Sequence, residues 1–286
     1  MADRFGTSGN DTLIGTEAED TLFASIGNDL LDGNGGADTA DYSSLGEAIT
    51  LERAGAINKG SLGNDQILDI ERIIGAEGQA NAIDGSTGIS GETSFTINLG
   101  TKRLTVNDIP TLGEVTFRVE NFVNATGTSR GDSIVGNNSN NLFSGGSGND
   151  GLSGVGGNDT LLGNAGNDII IGGSDADTLV GGQDNDTYKY NFISDSSPTS
   201  TDLIEFQPGE DRIDFLALDS NLTIDEKQSF TFIGSDPFNS SSSNGQVRYD
   251  AANNLIQAQA IGSDQLLEIE SSVSFDLLSE SDFILQ

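Results

Sequence analysis

The 286-residue sequence predicts an all-β protein, much of it a solenoid of short strands joined by tight turns, and three observations carry that prediction. An aspartate recurs every nine residues through two blocks of the chain. An aliphatic or aromatic residue follows nearly every such aspartate two positions later, and Gly, Asn, Ser and Asp dominate the turn residues between. Five consecutive units, GGSGNDGLS, GVGGNDTLL, GNAGNDIII, GGSDADTLV and GGQDNDTYK, run from Gly145 to Lys189 with Asp150, Asp159, Asp168, Asp177 and Asp186 at the sixth position. Nearer the N-terminus GTSGNDTLI, GTEAEDTLF, ASIGNDLLD and GNGGADTAD space Asp11, Asp20, Asp29 and Asp38 in the same way. Two further units lead into the second block: GTSRGDSIV, with Asp132, and GNNSNNLFS, where Asn141 stands in the aspartate's place.

Each unit reads as a turn followed by a short strand. Its first six residues are small and turn-forming, and position eight holds the core residue: Leu13, Leu22, Leu31 and Ala40, then Ile134, Phe143, Leu152, Leu161, Ile170, Leu179 and Tyr188. A flexible Gly-rich linker would share the composition, but it would not hold an aspartate and an apolar residue in fixed phase. Glycine leaves the turn carbonyls uncovered, and aspartate supplies a hard carboxylate oxygen. Calcium takes six to eight oxygens, more than one short turn offers, so two stacked turns are needed. Charge argues the same way. Between Gly131 and Tyr188 there are eight Asp and no Glu, Lys or Arg, and carboxylates stacked about 4.8 Å apart repel unless a cation lies between them. Folding of these blocks is therefore expected to require the metal.

The nonapeptide resembles the repeat of the RTX family. That resemblance implies a right-handed parallel β-roll, a calcium-binding β-solenoid in which two units complete one coil and turns n and n+2 clasp an ion. The implied pairs begin at Gly127 and Gly145, Gly136 and Gly154, Gly145 and Gly163, Gly154 and Gly172, and Gly163 and Gly181, with Gly6 and Ala24, and Gly15 and Gly33, in the first block. Beside the aspartates, the implied ligands are carbonyls of Gly145, Ser147, Gly148, Gly154, Gly156, Gly157, Gly163, Ala165, Gly166, Gly172, Ser174 and Gly181. Turns carrying Ala24, Arg130 or Asn141 depart from the pattern and are expected to bind weakly or not at all. The formal net charge is −33, of which roughly seven Ca²⁺ would cancel about fourteen. The remaining charge argues against nucleic acid or an anionic membrane as partner.

Four segments follow: N-terminal repeats over 1–41, duplicated coils over 42–126, the main roll over 127–189 and a C-terminal module over 190–286. In the second, Ile49 to Leu51 with Asp69 to Gly85 parallels Thr96 to Leu99 with Arg118 to Gly136, placing Glu71 and Glu120 49 residues apart and Asn81 level with Asp132. Alternating residues there read as strands, either wider solenoid coils without calcium turns or a small separate β-subdomain. Beyond Tyr190 only four of 38 glycines remain but eight of fourteen phenylalanines, the mark of an aromatic-cored, β-sandwich-like module. That module resembles the C-terminal part of serralysin-type secreted metalloproteases, and the closing SESDFILQ resembles their tail. The resemblance implies an uncleaved signal for export by a type I (ABC) system and a secreted, extracellular bacterial protein. Phe283, Ile284 and Leu285 would also suit a last buried strand. The polar start MADRFGTSGNDT offers no cleavable signal, no apolar run has transmembrane length, and there is no cysteine.

The absence of histidine excludes an HExxH zinc site and leaves the GxSxG match at Gly127, Ser129 and Gly131 without a triad base. No phosphate loop, EF-hand or basic patch occurs. The expected function is a secreted calcium-binding protein, not an enzyme, that folds on binding Ca²⁺ after export and acts as a structural or surface-associated component, with self-association at an open solenoid end. The alternatives are an accessory or binding module of an exported enzyme and a carboxylate-based hydrolase.

Overall fold

The computed structural model describes residues 2–52, 55–86, 93–109, 113–223, 227–271 and 278–285. The chain divides into two compact units, Met1–Val135 and Gly136–Gln286, and the described residues of both are strands, turns and short 3₁₀ segments without an α-helix. Among them no helix is long and apolar enough to cross a membrane.

In the first unit successive nonapeptides deliver three-residue strands alternately to two parallel sheets. Thr12–Ile14 pairs with Leu30–Asp32, while Asp3–Phe5, Thr21–Phe23 and Thr39–Asp41 stack in the other sheet. The period of eighteen residues per coil keeps position eight in register, Leu13 on Leu31 and Leu22 on Ala40, and all four are buried. Beyond the exposed first strand Asp3–Phe5, each of these strands buries its central side chain, a thin core that depends on every coil covering the next.

The duplicated segment stays on these sheets. Arg72–Ile74 pairs in parallel with Thr39–Asp41 and with Gly113–Glu120, and Asn81–Asp84 pairs in parallel with Thr50–Glu52 and Phe122–Thr126. Each copy inserts a three-stranded antiparallel meander: Thr50–Glu52, Ala56–Asn58 and Asn64–Leu68 in one sheet, and Ser94–Asn98, Arg103–Ile109 and Gly113–Glu120 in the other. The last strand of the first meander, Asn64–Leu68, also lies parallel to Leu30–Asp32 with Ile67 on Leu31, so the coil pattern resumes there.

The second unit repeats the plan with five six-residue strands and a three-residue last one. Leu142–Ser147, Thr160–Ala165 and Thr178–Gln183 form one stack, and Gly151–Gly156, Ile169–Ser174 and Thr187–Lys189 the other. Phe143, Leu161 and Leu179 superpose in one column and Leu152, Ile170 and Tyr188 in the other, each buried. The C-terminal residues build on these same two sheets. Asp202–Glu205 and then Leu266–Ser271 extend the first, followed by antiparallel Leu255–Gln259 and Gln246–Asp250; Arg212–Asp214 and Phe283–Ile284 extend the second. Between the two layers sits the aromatic core: the Phe215 ring is 5.9 Å from Tyr190 and 6.1 Å from Phe283, and Phe206 lies 6.2 Å from Tyr188. Phe283, in the closing run, is one of its buried members.

Candidate metal centre

Every position-six aspartate of the second unit is buried at the turn edge of its strand: Asp150, Asp159, Asp168, Asp177 and Asp186 are all 3% exposed or less. One carboxylate oxygen has a fixed duty. Oδ1 of Asp159, Asp168, Asp177 and Asp186 accepts the backbone N–H of the residue eighteen positions earlier, at 2.7, 2.8, 2.8 and 2.9 Å from Asn141, Asp150, Asp159 and Asp168. The ladder continues past the nonapeptides, with Asp202 accepting from Asp177 at 3.0 Å and Asp211 from Asp186 at 3.1 Å, now across 25 residues. A second ladder runs the opposite way. Asn149 accepts from Asn167 and Asn167 from Asn185, so position-five asparagines reach forward while the aspartates reach back.

The other oxygen is what gives the turns their chemistry. Oδ2 of Asp159, Asp168, Asp177 and Asp186 is buried without a hydrogen-bond partner. It lies over the glycine that opens its own turn: a Cβ on Gly163 would overlap Asp168 Oδ2 and stand 2.6 Å from the carbonyl oxygen of Gly181 in the stacked turn. Gly154 has the same relation to Asp159 and the Gly172 carbonyl. Burying a carboxylate oxygen without a donor is costly, and a carbonyl pointing at the same spot makes it more so unless a cation is shared. Burial accordingly raises these carboxyls, against the N–H bond that lowers them, to about 6 for Asp159 and Asp168 and about 7 for Asp177 and Asp186. Among the described residues no three acidic side chains gather at one point, so an ion here would draw most of its oxygens from backbone carbonyls.

The backbone at position two separates these open turns from a second kind. In the open turns that residue has positive φ: 109° at Gly146, 86° at Val155, 78° at Asn164, 112° at Gly173 and 113° at Gly182. Val155 is β-branched, and holding it there stores strain that a functional geometry explains. Asp38 belongs with this group, its Oδ2 unpartnered and Asn34 at φ 71°. Where position two is threonine, φ is not positive and the residue turns its donors onto the carboxylate. Thr7 gives its N–H and hydroxyl to Asp11 Oδ2 at 2.6 and 2.9 Å, Thr16 to Asp20 at 2.5 and 2.7 Å, and Thr128 to Asp132 at 2.6 and 3.0 Å. Threonine there satisfies locally the carboxylate oxygen that stays bare in the open turns. Asp29 is bonded by the Ser25 hydroxyl at 3.1 Å and by the ammonium of Lys59.

The expected carbonyl ligands fall at the strand ends and turns. Ser147, Gly156, Ala165 and Ser174 close their strands, and Gly148, Gly157 and Gly166 follow three of them with φ of 103°, 92° and 119°. Gly145, Gly154, Gly163, Gly172 and Gly181 each face their own turn's aspartate. The ladder also holds residues outside the expected set. Asp65 accepts from Asp29 at 2.9 Å, Glu71 from Asp38 at 2.7 Å, and Asn81 from Ile49 at 2.9 Å. Asp132 takes the Phe95 N–H as Asn81 takes that of Ile49, matching their places in the duplication. Asp65 belongs to Gly60–Leu68, GSLGNDQIL, a complete nonapeptide that follows the two irregular strands of the meander. The shared signal is Asp, Asn or Glu two residues before an apolar core residue, as in Asp65–Ile67, Asp202–Ile204 and Asp211–Ile213.

Fold and turns together define a parallel β-roll whose stacked turns converge carboxylate and carbonyl oxygens on points suited to a hard cation. A family model for the RTX calcium-binding nonapeptide repeat (4 copies) matches residues 5–40, 126–161 and 153–188, and these segments are nonapeptide repeats of the RTX type. Similar solved structures include the AlgE6R3 subunit of the mannuronan C5-epimerase of Azotobacter vinelandii, at 27% identity over 55% of this chain and 78% of that one, TM-score 0.33. Another is the extracellular lipase LipA of Serratia marcescens, at 18% identity over 99% of this chain but 40% of the lipase, TM-score 0.26. No curated protein matches the chain.

Proposed function

We propose that the open turns of the second unit hold Ca²⁺ between stacked coils and that this binding drives folding of the roll. The observation that carries the reading is the row of buried, partnerless Oδ2 atoms on Asp159, Asp168, Asp177 and Asp186, each set beside its glycine, with the stacked-turn carbonyl also close to Gly154 and Gly163. The ligands would be those carboxylates, Asp150, and carbonyls from Gly145, Gly154, Gly163, Gly172 and Gly181 and from the residues at positions two to four of their turns. Without metal the row is a stack of buried like charges; with it, binding energy becomes folding energy. Export in the unfolded state by a type I system, followed by folding outside in millimolar calcium, fits this coupling and the RTX resemblance. The folded protein is then a structural or surface-associated component.

A calcium titration followed by far-UV circular dichroism, with magnesium as control, tests this. A cooperative gain of β-signal with Ca²⁺ alone supports the reading. Full β-signal in excess chelator would end it.

A further inference from the structure

Lys59 is the one lysine in the core, fully buried, and nothing in the nonapeptide pattern calls for it. It immediately precedes the nonapeptide Gly60–Leu68, whose turn stacks against that of Ala24–Asp32: the Gly27 N–H bonds the Leu62 carbonyl, the Asn64 N–H bonds Asn28, and Asp65 takes the Asp29 N–H. Its ammonium lies between the two turns. Nζ stands 2.7 Å from the Ser25 carbonyl oxygen, 3.3 Å from Asp29 Oδ2 and 2.5 Å from Asp65 Oδ1. These are a turn carbonyl, that turn's carboxylate and the carboxylate of the turn stacked on it, the same kinds of oxygen that surround the open positions of the second unit. The ammonium's three donors engage the Ala24 turn's carbonyl and carboxylate and the Oδ1 that Asp65 aims at that turn, while Asp65 Oδ2 stays buried without a partner.

We infer that Lys59 is a built-in cation that replaces calcium between the Ala24 and Gly60 turns, making this coil of the first unit independent of the metal. The neighbourhood agrees in charge. Asp29 and Asp65 bring two negative charges against one positive, and Asp65 stays raised because burial outweighs the lowering by Lys59 and the Asp29 N–H. Tyr42, also fully buried, sets its hydroxyl beside Asp65 and fills the position where another unit would open with glycine. Together with the threonine-closed turns at Asp11 and Asp20, the lysine closes the turns up to Asp29 without calcium, while Asp38 keeps an open one.

This inference rests on calcium filling the open turns of the second unit, and one experiment separates the two. Amide hydrogen exchange of the full chain is measured in EDTA and in Ca²⁺, for wild type and Lys59→Ala, with calcium stoichiometry by calorimetry. In wild type, amides of 27–31 and 63–67 are expected to keep equal protection in both conditions, within about twofold, while those of 154–186 gain more than tenfold with Ca²⁺. In Lys59→Ala the 27–31 and 63–67 amides become calcium-dependent and the chain binds one more ion. Calcium-dependent protection of 27–31 in wild type, or unchanged protection of Lys59→Ala in EDTA, overturns the role of Lys59. If the variant does not fold, the wild-type comparison decides. Calcium-indifferent amides at 154–186 would instead refute the function proposed above, with Lys59 still judged on 27–31.

Discussion

Protons and calcium must compete for the second unit's aspartates, and the structure fixes how strongly. An ion between the Gly163 and Gly181 turns would need Asp168 and Asp186 ionised. Burial raises the first to about 6 and the second to about 7 in the metal-free fold. Between pH 8 and pH 5 the ionised fraction falls about tenfold for a pKa near 6 and about ninetyfold for one near 7, so the affinity of an already folded roll at this pair drops by roughly a thousandfold, whereas the unfolded chain, with ordinary aspartates, stays ionised throughout. The metal-free fold responds in the opposite direction. A carboxyl whose folded pKa lies above its unfolded value of 3.8 leaves the fold most stable below pH 4, and that stability is lost as pH rises through 6 to 7. Calcium titrations at pH 5, 6, 7 and 8, with circular dichroism in EDTA over the same range, read both effects. Calcium should bind ever more tightly as pH rises while the metal-free β-signal falls. Where a metal-free β-signal persists in EDTA at pH 5, affinity constant within about threefold over that range would refute the reasoning, because the folded roll's carboxylates would then behave like ordinary surface aspartates.

Four substitutions probe other parts of the structure. Gly163→Ala places a Cβ over Asp168 Oδ2 and 2.6 Å from the Gly181 carbonyl oxygen, so calorimetry should show one ion fewer. Gly46→Ala, where a Cβ meets nothing within 4 Å, should stay within about 0.5 kcal/mol of wild type in the same assay. Leu161→Ala empties a fully buried position between Phe143 and Leu179 and should cost about 2–5 kcal/mol in urea unfolding of the calcium-loaded protein. Glu120 is raised by its own desolvation, but hydrogen bonds from Lys102, Arg118 and Arg72 outweigh this together and hold it at about 2. Its contribution is present above its ordinary 4.5 and lost as pH falls toward 2, so Glu120→Gln should be less stable by about 1 kcal/mol at pH 7 and flatten the acid limb of the unfolding curve. The figure is small because the three cations are about half exposed.

Much of this fold was legible because one rule is repeated: an aspartate two residues before an apolar residue. Leu13, Leu31, Leu161 and Ile170 are buried where position eight puts them, since a nine-residue period admits one register only. The rule is broader than the period, however. Asp65, Asp202 and Asp211 need only reach back to a backbone N–H while an isoleucine two residues on enters the core, and the intervening loop length is free. Hence the nonapeptide Gly60–Leu68 is hard to recognise in the sequence, because no matching unit occurs between Tyr42 and Lys59. The division into open and closed turns was also hidden. It depends on whether position two turns its N–H toward the carboxylate, as Thr16 does, or away from it, as Asn164 does with positive φ, and composition treats both as turn formers. Lys59 was invisible for a different reason: its partners are 30 and 34 residues earlier and come together only when the coils stack.

Low-energy anomalous diffraction from crystals of the full chain grown in calcium would locate the ions directly. Peaks are expected between the stacked turns that begin at Gly145, Gly154, Gly163, Gly172 and Gly181, with none between the Ala24 and Gly60 turns, where Lys59 stands. Empty positions beside Asp159, Asp168, Asp177 and Asp186 under saturating calcium would contradict the claim that these carboxylates are metal ligands.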